Sequence, residues 1–103
     1  MSADDSKQQV KQEETCRLIV PVDLKNKAGE VVERLTELTF KRLKGADMRR
    51  VLNAKDKGTG EMMAALVCAS AGIPPSTFDQ LDGADVIKAG DVASDFFGIT
   101  QPG

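Results

Sequence analysis

Apolar and polar side chains alternate from Arg17 to Leu24, with Leu18, Val20, Val22 and Leu24 on one side and Arg17, Ile19, Pro21 and Asp23 on the other. A period of two predicts a strand with one wet face. Pro21 has no backbone N–H to give to a ladder, which favours an edge position. Lys25 to Glu30 (KNKAGE) carries turn chemistry, after which Val31, Val32, Leu35, Leu38 and Phe40 resume the strand pattern. The two segments read as a β-hairpin, and an isolated hairpin is marginal in water unless something apolar covers one face.

Between Leu35 and Leu52 the period changes. Leu38 and Phe40 alternate with Thr39 and Lys41, whereas Met48, Val51 and Leu52 recur at i, i+3 and i+4, as one helix face requires. The junction is Lys44-Gly45-Ala46-Asp47, where Gly45 is expected to take backbone angles other residues avoid and Asp47 to favour the helix dipole. This first helix is expected from about Ala46 to Lys55, and Thr59 is the expected N-cap of the next. From Met62 the run MMAALVCASAG is apolar or small on every side, which predicts cover on more than one side: a central helix or a docking surface. Gly72 and Pro74-Pro75 end it. Thr77 with Gln80, and Asp82 with Asp85, have the spacing of capping boxes. The second pair opens a last helix with Val86, Ala89, Val92 or Ala93, and Phe96 or Phe97 on its apolar face, stopped by Gly98.

The fold class expected is therefore α+β, an N-terminal hairpin packed by about three helices. Residues 1–15 are too polar to offset their ordering entropy and read as a disordered arm; residues 16–99 form the single domain and residues 100–103 a tail. A folded part of about 85 residues buries only about 60 to 65% of its unfolded surface, so stability is expected to be modest. The formal charge of −2 is unevenly spread. Lys41, Arg42, Lys44, Arg49, Arg50, Lys55 and Lys57 outnumber Asp47 and Asp56, while Asp79, Asp82, Asp85, Asp91 and Asp95 face a single base, Lys88. One end is basic and the other acidic.

Candidate chemistry is sparse. The chain has no histidine and no tyrosine, and Cys16 and Cys68 lie far apart without CxxC spacing, so no metal site, cofactor or enzymatic function is expected, and the thiols read as reduced and buried. Asp82 and Asp85 read as a cap rather than a catalytic pair, and Asp91 and Asp95, at i and i+4, as a solvated helix face. No phosphate-loop motif occurs near Gly45 or Gly58-Thr59-Gly60. The start MSADDSKQQV lacks the regions of a signal peptide, and the uncharged stretch Met62 to Phe78 is broken by Gly72, Pro74 and Pro75, so a cytoplasmic location and no membrane span are expected. The basic cluster Lys41 to Arg50 supports an alternative reading as a small nucleic-acid-associated regulator, but its one nearby aromatic, Phe40, falls on the strand's apolar side. The adjacent pairs Met62-Met63 and Phe96-Phe97 cannot both face one core, so one member of each is expected to be partly exposed. With Leu66 and Val67 they are the candidate partner-binding residues.

Taken in order, the polar arm, the hairpin, the stretch LTELTFKRLKGADMRRV and the closing SAGIPPSTFDQLDGADVIKAGDVASDFFG resemble the small tail assembly chaperones of contractile-tailed phages of the Mu-like kind, over about Arg17 to Gly98. The portions that carry the resemblance are Thr36 to Arg42 followed by Gly45-Ala46-Asp47, and Phe78 to Asp82 followed by Ala84-Asp85. The resemblance implies a morphogenesis protein of the host cell cytoplasm, absent from the mature virion. It implies binding to a tape measure protein, kept soluble until tail tube protein polymerises around it. It also implies no active site and, in families of this sort, a second, C-terminally extended product made by frameshifting, of which this sequence would be the shorter form.

Overall fold

A computed structural model describes residues 12–98. The expected arm, apart from Gln12 to Thr15, and the expected tail lie outside the described residues. The two strands are β1 (Glu13–Lys25) and β2 (Val31–Lys41), paired antiparallel as a two-stranded sheet. Helix α1 (Gly45–Asn53) runs into a 3-10 turn at Ala54–Lys57, and α2 (Thr59–Ala71), the one-turn α3 (Pro75–Phe78) and α4 (Gly83–Phe96) follow. The α+β class holds, with the first strand starting at Glu13 instead of Arg17.

The hairpin turn is built by Asn26. Its side-chain oxygen accepts from the N–H groups of Ala28 (2.9 Å) and Glu30 (3.0 Å), while Gly29 takes φ 84°. Such an Asx arrangement replaces the backbone partners a tight turn loses. Beyond it the register shifts at once, Lys25 pairing with Val31 but Leu24 with Glu33, and then breaks more widely. Arg17 pairs with Glu37 and Val22 with Leu35, so Leu18, Ile19, Val20 and Pro21 stand opposite Thr36 alone. This bulge corrects the alternation read from sequence. Cys16, Leu18 and Val22 point into the core, whereas Ile19 and Val20 turn outward, and Val20 is not the core residue that strict alternation requires. Pro21, with no N–H to give, sits where the ladder is already interrupted.

A displaced strand leaves backbone donors without a ladder partner, and here they are met from the far end of the chain. Asp85, fully buried, accepts from Ile19 N–H at 2.8 Å through Oδ1 and from Val20 N–H at 2.9 Å through Oδ2. Lys88, one turn further along α4, donates from Nζ to the Arg17 carbonyl at 2.8 Å. The spacing of Asp82 and Asp85 suggested a reciprocal cap, and only half of it forms. Asp82 accepts from Ala84 N–H at 3.0 Å, while Asp85 leaves its own helix to clamp the bulge. Its position in the first turn of α4 adds a favourable helix dipole.

Several other local expectations are corrected. Gly58, at φ 119°, is the N-cap of α2, and Thr59 is its first helical residue. Gly45 simply begins α1 without a positive φ, and Asp47 reaches back to the Lys44 N–H at 3.4 Å and pairs with Arg50 at 2.8 Å. Leu52 faces solvent, leaving Val51 and the half-buried Met48 as the inner face of α1. Gln80 bonds the Ser76 carbonyl at 3.2 Å instead of boxing with Thr77. Gly72, at φ 70°, does end α2, with Cys68 O accepting from both Gly72 and Ile73 N–H.

The core lies between one face of the hairpin and the helices. Leu38 and Phe40 of β2 meet Leu66 and Val67 of α2, Val51 of α1, Leu81, and Ala89 and Ala93 of α4. Helix α2 touches β2 and all three other helices, the central position its uniformly apolar sequence called for. Ser70 fastens it to the strand end by accepting from Lys41 N–H (3.1 Å) and donating to Lys41 C=O (2.8 Å). Both cysteines are free thiols, Cys16 buried and Cys68 half-buried. Burial pushes the Cys16 thiol pKa up, partly opposed by Lys88, and burial helped by Asp79 raises that of Cys68.

Because two bulge donors depend on one carboxylate, Asp85→Ala is expected to cost about 2 to 4 kcal/mol in urea unfolding, and Asp85→Asn, which keeps one acceptor, about half as much. The raised thiol pKa values lead to slow alkylation of the native protein at mildly alkaline pH, Cys16 slower than Cys68, with both reacting fast in urea. Mass spectrometry of timed iodoacetamide reactions checks the order.

Candidate functional site

Among the described residues a surface depression of about 680 Å³ lies between α2 and α4, twice the volume of either of the two others that flank α2. Along α4 its lining positions are Val86 and Ile87, Gly90 and Asp91, then Ser94 and Asp95, steps of three and four that keep them on one stripe. Across from that stripe stand Thr59, Gly60 and Met63 of α2, with Phe78 of α3. Gly90 makes the close approach possible. A Cβ there would meet Met63 Sδ at 3.1 Å, so the thioether lies against the bare backbone of α4 and forms part of the groove wall.

The groove is apolar within and acidic at its edge. Ile87 is 67% exposed, a large fraction for a branched aliphatic side chain on a helix. Asp91 and Asp95 are exposed, and neither forms an ion pair among the described residues. They are the solvated acidic pair read from sequence, and the structure adds that their stripe continues the apolar surface of Ile87. The stripe thus joins an exposed apolar side chain to two exposed carboxylates on one side of α4. Among the described residues no cluster of metal-ligating side chains occurs, and no helix is long and apolar enough to cross a membrane.

The residues singled out in the sequence are distributed unequally. Met63 lines the groove. Met62 is half-buried against the core, and Leu66 and Val67 are buried within it, where an intact fold gives a partner no access. Phe96 and Phe97 are half-buried and stack edge to face with centroids 4.9 Å apart. Arg42 lies 4.9 and 5.1 Å from the two ring centroids and donates to the Phe96 carbonyl at 3.1 Å, so it covers the rings and the C-terminal end of α4 together. Arg42 and Arg50, two of the bases in the cluster, are thus engaged within the fold, and Phe40 is buried with no ring to offer a base. Ile87 and Gly90 were not singled out, and Val86 and Phe78 were named for the helix face and the resemblance, not as partner-binding residues. The available signal was Ile87 sharing a stripe with Asp91, outside the face set by Val86, Ala89 and Ala93.

A second group of exposed apolar residues, Ile19, Val20, Val31 and Val32, belongs to the bulge and to the turn end of the hairpin. They line none of the depressions that flank α2.

Comparison with known proteins adds a family. No curated protein and no solved structure matches the chain. Residues 15–98, nearly all that the structure describes, match the model of a family described as phage tail assembly chaperone proteins, E, or 41 or 14. The match covers most of the chain, hairpin and helices alike, and the chain belongs to the phage tail assembly chaperones.

Proposed function

We propose that this chaperone binds apolar helical segments of a tape measure protein and keeps that protein soluble in the host cytoplasm until tail tube subunits assemble around it, after which it departs and is absent from the virion. The observation that carries the reading is the family match over residues 15–98. The α2–α4 groove supports it, because a holdase needs accessible apolar surface on an otherwise folded body. Within the candidate set, Met63 makes contact directly, while Met62, Phe96 and Phe97 keep partial exposure at the margins. Leu66 and Val67 serve by holding α2 in place. Release demands moderate affinity, and a micromolar complex, about −8 kcal/mol, is displaceable by a polymerising tube. Tail tube protein and a frameshifted, extended form of the same chain are further partners in this scheme.

Co-expression with the tape measure protein of the same phage tests it. The wild-type chain is expected to move the tape measure protein from the pellet to the soluble fraction and to co-purify with it. Met63→Asp and Ile87→Asp are expected to reduce that recovery about tenfold, the effect of introducing an unpaired charge into an apolar contact. Val32→Asp, on the hairpin, is expected to leave recovery unchanged. Equal recovery with all three variants, each folded by circular dichroism, would falsify the assignment to the groove.

A further inference from the structure

We infer that the α2–α4 groove selects its occupant by charge as well as by apolar fit: the partner segment is an amphipathic helix whose apolar face is flanked by lysine or arginine, and Asp91 and Asp95 read that flank. The inference rests on the reading that the groove holds a tape measure protein, and it specifies the chemistry of the segment held.

A helix fits the shape. The α4 stripe from Ile87 to Asp95 spans about 12 Å at 1.5 Å per residue, two turns, and its steps of three and four match the ridges of a helix lying alongside. The charge then fixes the flank. Asp91 and Asp95 are a helical turn apart, exposed, and without an ion-pair partner among the described residues, so a cation on the occupant has two carboxylates to meet. An acidic flank there would place like charges side by side. A second copy of this chain seated groove to groove is disfavoured too, because the lining holds two carboxylates and no base, so the paired interface would gather four acids and no cation. Nucleic acid is disfavoured on the same ground. The basic region around α1, where exposed Arg42 and Arg50 already bond the Phe96 carbonyl and Asp47, is a weaker counterpart than a helix that brings its own cations.

The test uses the full chain and two synthetic helical peptides with the same apolar face, one flanked by lysines and the other by glutamates. At low salt the wild-type protein is expected to bind the lysine peptide about fivefold more tightly by fluorescence anisotropy, with the preference shrinking as salt rises. The double variant Asp91→Lys/Asp95→Lys is expected to reverse the preference, and Ile87→Asp to lose both peptides. These positions are exposed, so all variants are expected to keep the wild-type circular dichroism spectrum. Equal binding of the two peptides, or a preference that survives the charge reversal, overturns the inference. So does a dimer in sedimentation that Ile87→Asp converts to monomer, since a second copy would then fill the groove. Peptide discrimination without solubilisation of the tape measure protein supports the inference and removes the proposed function. Solubilisation without discrimination removes the inference alone.

Discussion

The carboxylate of Asp85 ties the two halves of this molecule together. Two backbone donors that a bulged strand cannot place in its own ladder converge on its two oxygens, across 66 and 65 residues of sequence. A buried carboxylate is costly unless its oxygens are satisfied, and displaced amides are costly unless they are accepted, so each removes the other's penalty. Lys88 closes the third backbone group of the same bulge. The helical body can therefore grip the hairpin at one defined register, and α4 is held in the orientation that leaves its outer stripe facing α2 and solvent.

That grip explains how so small a core supports an open apolar surface. Helix α2 uses Leu66, Val67 and Ser70 to meet the hairpin and Met63 to meet α4 at Gly90, so opposite ends of one helix serve the core and the groove. Had α2 been a conventional amphipathic helix with a charged outer face, the groove would have had one polar wall. Its low polarity shapes the surface as well as the centre.

Much of this was legible in the sequence, and the losses have identifiable causes. The alternation around Leu18 and Leu38, the shift of period at Met48 and the stop at Gly72 gave the elements, because each is a local signal. Val20 was misplaced because the bulge leaves no mark on alternation, and Pro21 was read as an edge signal only. Asp85 has the spacing of a cap from Asp82, and nothing local distinguishes a carboxylate that turns back to its own helix from one that reaches a distant strand. Met63 was found as an apolar residue without an obvious place. Ile87 was not, since groove residues are defined by what the neighbouring helix fails to cover, and that is settled only by packing.

The interruption at Leu18 to Pro21 also divides the hairpin into two ladders of unequal standing. The inner one, from Glu13 to Arg17, carries Cys16 opposite Leu38 and shares the fate of the whole core. The outer one, from Val22 to Lys25, packs on the core through Val22, Leu24 and Leu35 and then runs out to exposed Val31 and Val32, with the exposed Arg34–Asp23 pair across it. Opening from the turn inward would break fewer core contacts than opening the inner ladder, so the ribbon end is the cheaper part of the sheet to separate.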